Sequence, residues 1–187
     1  MTLTTNILTA EVLVQQCIDG ERAAYKALYD RYSKAMYNTA VRIVGKTADA
    51  EDVLQEAFTD AFMQIKSFEK KSTFGAWLKQ IVVFKSISFL KKQRLVFSDL
   101  ENTGKDFADE EELNEENIWF TVDIIKQKIQ QLPDGYRTVL SLYLMEGYDH
   151  EEIAEILNVT HTTVRTQYIR AKQKLLQLIK NSIDYAE

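Results

Sequence analysis

Apolar residues recur along this chain at intervals of three and four, the repeat of a helix that buries one stripe. Ala24, Leu28 and Tyr32, then Met36, Ala40 and Ile43, predict a helix that Gly45 ends. Thr47 is expected to cap the next helix, whose first turn holds Asp49, Glu51 and Asp52, where the helix dipole favours negative charge. That helix sets Val53, Leu54, Ala57, Phe58, Ala61, Phe62 and Ile65 on one face, and Asp49, Asp52, Gln55, Glu56, Thr59 and Asp60 on the other. Residues 66–73 form a polar break. A long helix follows from about 74 to 94, with Leu78, Ile81, Val82, Ile87 and Leu90 apolar.

Toward the C-terminus, Ile118, Val122, Ile125, Ile129 and Leu132 alternate steps of four and three. Pro133 is expected as the first residue of the next helix, where its missing N–H does no harm, and that helix stops at Gly147. Asp149 and Glu152 have the spacing of a capping box that opens a short helix ending at Leu157. Asn158, Val159 and Thr160 make a tight turn, and Thr160 caps a last helix running from His161 to about Ile179. Its seam is Val164, Tyr168, Ala171, Leu175 and Leu178.

Between these regions, residues 98–117 combine nine acids and one base with three apolar residues other than Ala. Too little apolar surface is present to offset ordering entropy, so the stretch reads as a flexible acidic linker. The expected architecture is all-α. Two small helical domains, residues 1–97 and 118–187, flank the linker at 98–117, and the second contains a helix-turn-helix.

Composition narrows the alternatives. Six Gly and one Pro in 187 residues are too few for the frequent turns of a β-sandwich or barrel. Neither GxGxxG nor GxxxxGK[ST] occurs, so the usual nucleotide-binding loops are missing. One Cys, Cys17, permits no internal disulfide, and with two His it makes a structural zinc site unexpected. No apolar run is long enough to span a bilayer, and the N-terminus lacks the basic start of a signal peptide. The expectation is a cytoplasmic protein with no membrane insertion, no cofactor and no metal.

The net charge of −5 conceals an uneven distribution. Residues 21–97 carry +6 and residues 98–117 carry −8. Residues 61–97 hold eight cations and one acid, and residues 158–183 hold five cations and no acid. Such runs are commonly just solvated helix faces. In the last helix the run coincides with a helix-turn-helix, the device that holds a helix out for the DNA major groove. His161, Thr162, Arg165 and Thr166 avoid the seam near its N-terminus and are the candidate base readers. Arg170, Lys172 and Lys174 suit phosphates. In the earlier run, Phe68, Lys70, Lys71, Ser72, Thr73, Lys79 and Lys85 mix cations with aromatic and polar residues around a loop, as single-stranded DNA sites do. Phe74 and Trp77, on a helix with Leu78 and Ile81, fit a core better than a base platform.

The chain resembles the bacterial extracytoplasmic-function (ECF, group IV) sigma factors over nearly its whole length. GERAAYKALYDRYSKAMYNTA resembles the start of sigma region 2, and DAEDVLQEAFTDAF (49–62) is close to that family's most recognisable helix. TFGAWLKQIV (73–82) matches the FRAWL-type segment. Residues 132–176 match region 4, with EEIAEIL and TVRTQYIRAKQKL as landmarks. The resemblance implies that region 2 binds core RNA polymerase and melts and reads the −10 element, and that region 4 reads the −35 element. The helix with Asp49, Asp52, Gln55, Glu56 and Asp60 would dock on the clamp helices of the β′ subunit. It also implies promoter DNA and an anti-sigma factor as partners. The chain departs from the family at Phe84, where Asn is usual, and in the recognition helix at Gln167 and Tyr168, where Arg or Lys and Leu are common.

Two other functions compete. One is a helix-turn-helix transcriptional regulator with a partner- or ligand-sensing N-terminal domain. The acidic outer face at 49–60 suits a protein partner better than a pocket. The other is an enzyme, for which the scattered carboxylates Glu51, Asp52 and Glu56 could suggest a metal or acid–base site. No His or Cys lies near them, and a helix N-terminus accounts for them. No catalytic residue is assigned.

Overall fold

The computed structural model describes residues 8–93 and 122–184. The expected linker at 98–117 lies outside the described residues. The regular elements among the described residues are all helical, and the chain divides into two compact units, Met1–Ser88 and Phe89–Glu187.

In the first unit, α1 (Ala10–Ile18) opens on Thr9, whose hydroxyl oxygen accepts from the Val12 N–H at 3.4 Å. It buries Leu13, Val14 and Cys17. Cys17 is the small apolar core residue its surroundings require, and burial pushes its thiol up to about 11. Helix α2 (Arg22–Val44) ends at Gly45, as the pattern predicts. Gly45 takes φ +83, a left-handed conformation open to glycine, and its N–H reaches the Val41 carbonyl at 2.9 Å.

Helix α3 (Thr47–Met63) begins one residue earlier than expected. The Ala50 N–H already bonds the Lys46 carbonyl at 3.0 Å, so Thr47 is the first helical residue and not the cap. A single 3₁₀ turn (Ile65–Ser67) then directs Phe68 inward. Thr73 starts α4 (Phe74–Lys92), its hydroxyl oxygen accepting from the Ala76 N–H at 3.2 Å. Gly75 lets α4 approach α2, because a Cβ there would lie 2.9 Å from Cε1 of Tyr32. Tyr32 meets Phe74 at 5.4 Å between ring centroids, and Phe74 also meets Phe68 and Trp77 at 5.8 and 5.7 Å. These spacings are those of ordinary aromatic packing.

In the second unit, α5 (Val122–Gln130) buries Ile129 but leaves Val122 65% exposed, contrary to the apolar line read from the spacing. Leu132, Leu140, Ala171, Leu175 and Ile179 complete this core, with Tyr168 and Leu178 packed at its margin. Pro133 precedes α6 (Asp134–Ser141) as its cap and is not its first residue, its carbonyl accepting from the Arg137 N–H at 2.9 Å. Arg137 is itself buried, donating to the Leu132 carbonyl and paired with Asp134.

The run toward Gly147 widens into a π turn at Leu142–Glu146. Leu142 and Glu146 are buried while Tyr143 and Leu144 turn outward, and Gly147 closes the turn at φ +81. The capping box on α7 (His150–Leu157) is present as predicted: Asp149 accepts from the Glu151 and Glu152 N–H groups, and Glu152 accepts from the Asp149 N–H, each at 2.8 Å. Helix α8 (His161–Asp184) runs beyond the predicted end.

Asp149→Ala removes the shared acceptor of that box. It should lower stability by about 0.5–2 kcal/mol, read as an earlier unfolding transition of the full chain. Asp149→Asn, which keeps a capping oxygen, should recover most of the loss.

Candidate nucleic-acid interface

The turn between α7 and α8 is built from local bonds. Asn158 adopts φ +58, a conformation Asn tolerates because its short polar side chain can bond locally. Its N–H reaches the Glu155 carbonyl at 3.2 Å, and the Val159 N–H reaches the Ala154 carbonyl at 3.0 Å. Thr160 caps α8 through its hydroxyl oxygen, which accepts from the Thr163 N–H at 3.1 Å. Ile153, Ala154, Leu157 and Val164 are buried where the two helices meet, and Ile156 joins them.

With that seam closed, His161, Thr162, Arg165 and Thr166 face solvent on the first turns of α8. The Thr166 hydroxyl donates to the Thr162 carbonyl at 2.9 Å. Lys172 and Lys174 are exposed and Arg170 is half-buried. Gln167, which sequence comparison marked as a departure within the recognition helix, is buried and lies outside the reading face. Beside the N-terminus of α8, an aromatic cluster that spacing did not reveal joins the π turn to both helices. Tyr143 stacks on His150 at 4.8 Å, and Tyr168 closes on both at 4.8 and 5.0 Å. Burial, and then the neighbouring Tyr143, raise the Tyr168 hydroxyl above its ordinary pKa.

The candidate strand-binding set of the first unit is not brought together as one surface. Phe68 is buried against Phe74 and Trp77, so its ring is not offered to a base. Lys70, Lys71, Ser72 and Thr73 are exposed on the loop, with Lys70 at φ +58. Lys71 pairs with Glu69 at 2.5 Å, and Thr73 is committed to capping α4. Lys79 is half-buried.

Lys85 turns from α4 back to α3, where its Nζ lies 2.7 Å from Asp60 and 3.6 Å from Glu56. Its pKa is raised, first by the hydrogen bond to Asp60, against a smaller opposing effect of burial. A cation expected on DNA and two acids expected on polymerase therefore meet each other.

On α3, Asp52, Gln55 and Glu56 are exposed, Asp49 and Asp60 half-buried, as the pattern of faces predicts. Alongside lies an open groove of about 440 Å³ between α2 and α3, lined by Tyr29, Ser33, Lys34, Tyr37, Glu51, Leu54 and Gln55. Its α2 side, with Tyr29 and Tyr37, is the part that the linear pattern does not show.

Comparison with known proteins bears on both units. Residues 28–96 match the family profile described as Sigma-70 region 2, and residues 123–175 match Sigma-70, region 4. The chain is 30% identical over 179 residues to the ECF RNA polymerase sigma factor SigW of Bacillus subtilis, spanning 90% of this chain and 95% of the relative. The chain belongs to the ECF RNA polymerase sigma factors. Against the ECF RNA polymerase sigma-E factor of Escherichia coli K12 this sigma factor is 32% identical over 178 residues, covering 90% and 93% of the two chains. Two solved structures share the fold at 22% identity. They are the sigma factor RpoE with the anti-sigma factor NepR from Bartonella quintana (TM-score 0.54, 83% of this chain and 96% of the other), and CnrH with the cytosolic domain of CnrY (TM-score 0.53, 92% and 99%).

As an RNA polymerase sigma factor it directs promoter-specific initiation, and the reading as a regulator with a ligand-sensing N-terminal domain is set aside, because that domain is region 2. No helix among its described residues is long and apolar enough to cross a membrane.

The Lys85 bridge gives a measurable signature. A double-mutant cycle of Lys85→Gln with Asp60→Asn should yield a coupling of about 0.2–1 kcal/mol, reduced at high salt. Because the folded-state pKa of Lys85 is raised, this coupling is fully present below the ordinary lysine pKa and is lost as pH rises through the raised value.

Proposed function

We propose that this sigma factor divides its work between its units as their surfaces suggest. Residues 118–187 read the −35 element as duplex. His161, Thr162, Arg165 and Thr166 face base edges, and Arg170, Lys172 and Lys174 hold phosphates. Residues 1–97 bind core polymerase and open the −10 element. Asp49, Asp52 and Gln55 meet the β′ clamp helices, with Glu56 and Asp60 shared between that partner and Lys85. Lys70, Lys71 and Lys79 serve the opened strand, and residues 98–117 link the two domains. The chain acts in the cytoplasm, carries out no catalytic chemistry of its own and uses no cofactor. An anti-sigma factor is a further partner, as in the two solved complexes, whose sigma chains have the same fold.

The observation that carries this reading is α8. Its first turns place two threonines, a histidine and an arginine in solvent, and the helix contains no acid before Asp184. A helix so held presents its N-terminal end to the major groove. Arg at such a position pairs bidentately with guanine, whereas Lys further along positions without specifying.

Arg165→Ala should cost about 1–3 kcal/mol on the preferred −35 duplex and relax the choice at one or two base pairs. Lys172→Ala should weaken binding on every sequence alike and lower the salt slope by about one. Affinities of the holoenzyme for matched and substituted duplexes across a salt series decide both. An equal loss on all sequences for Arg165→Ala would make it a phosphate contact.

The polymerase surface is tested at Asp52, which is exposed and has no ion pair among the described residues. Asp52→Arg should weaken capture of core polymerase at moderate salt with an unaltered unfolding transition, whereas unchanged capture would refute the docking assignment.

A further inference from the structure

Asp52, Glu56 and Asp60 fall at steps of four and form one acidic line along α3. Like charges at that spacing repel, so the line is a cost to the helix that carries it. Lys85 stands at one end of the line, with its Nζ 2.7 Å from Asp60 and 3.6 Å from Glu56. Asp52, one turn further along, is exposed.

The three bridged side chains are not equally open. Lys85 is 28% exposed, Asp60 35% and Glu56 58%. The cation is thus the most withdrawn of the three, and both acids keep surface in solvent. An ionised carboxylate can accept from several donors at once, so a partner's cation can still reach these acids. What it meets is a surface that Lys85 has partly neutralised. A basic partner must displace the ammonium, or share the acids with it against the repulsion between two cations. In either case Asp60 and Glu56 return less attraction than bare carboxylates would.

We infer that Lys85 is an internal competitor for the polymerase-docking face: in the free protein it occupies Asp60 and Glu56, and so lowers the affinity of the first unit for core polymerase. This assignment rests on the reading of α3 as the docking surface and adds to it a residue of α4 that tunes the contact. The same bridge steadies α3 in the free protein by offsetting the repulsion along the acidic line. A residue that only braced α3 would cost stability and capture together when removed. A competitor moves the two in opposite directions.

The test uses the full chain and purified core polymerase without DNA. Lys85→Met keeps the apolar stem and drops the charge. It should bind core polymerase about 1.5- to 5-fold more tightly at low salt, the range for one partly exposed ion pair, while its own unfolding transition comes slightly earlier. The gain should shrink as salt rises. Lys85→Arg should stay near wild type. Lys85→Gln, which can still hydrogen-bond Asp60, is the milder variant and should shift capture in the same direction as Lys85→Met. Beside Asp60→Asn the gain from Lys85→Met should be largely lost, and beside Glu56→Gln only in part, because Asp60 is the closer partner. Lys66→Met removes one charge from an exposed site of the same unit, outside the bridge, and should bind core polymerase like wild type.

Unchanged or weaker capture by both Lys85→Met and Lys85→Gln would overturn the proposal. So would an equal gain for Lys66→Met, since net charge alone would then account for it. A gain that survives in full beside Asp60→Asn would overturn it too. Asp52→Arg is the separate check on the docking face. Unchanged capture there would remove the polymerase reading of α3, and this assignment with it.

Discussion

The two faces of α3 are the constraint from which the surfaces of the first unit follow. Ala50, Ala57 and Ala61 have no exposure, and Val53, Leu54 and Phe58 are buried between them. Alanine has nothing beyond Cβ, so neighbouring backbone can approach while the larger side chains fill the remaining space. Because residues three and four apart share a face, burying this stripe forces Glu51, Asp52, Gln55 and Glu56 outward together. The acidic surface is thus a geometric consequence of the core. Its charge can change without disturbing the packing, whereas a shift of helix register would bury the acids and unmake both.

A different device sets the surface of the second unit. The start of α8 is held by bonds a few residues long: the Asp149–Glu152 box, the left-handed Asn158 and the Thr160 cap. These satisfy backbone groups that a helix end leaves open. Val164 is buried, as are Ile153 and Leu157 on the preceding helix, and His161, Thr162, Arg165 and Thr166 are left in solvent. In the first unit a long stripe decides which residues are available, and in the second a short turn does.

That contrast explains what was legible in the sequence. The α3 stripe, the Gly45 stop, the capping box and the Thr160 cap rest on neighbours within a turn or two, and spacing shows them directly. Spacing gives a face but not the object packed against it, so Val122 fitted an apolar line and yet remains in solvent. The same gap hid Phe68, which belongs to the core because Phe74 and Trp77 close over it from another helix. The Lys85 bridge joins positions far apart in the chain, and the π turn at Leu142–Glu146 is a backbone adjustment without a residue signature. Within the recognition helix, the resemblance marks Gln167 as a departure but does not show that its position on α8 takes it inside.

The same reasoning alters what the charge map means. Counterion release depends on cations that DNA, and not the protein, neutralises. Residues 61–97 hold eight cations, but Lys85 is engaged by Asp60 and Glu56, and Lys71 by Glu69. The formal charge of this stretch therefore overstates its electrostatic footprint. No acid occurs among residues 158–183, so the second stretch suffers no such discount from its own helix. Under the proposed division of labour, duplex binding can accordingly rest on charge and base edges in α8. On the same proposal, a strand opened on the first unit would be held less by the number of its lysines than the formal charge of residues 61–97 suggests.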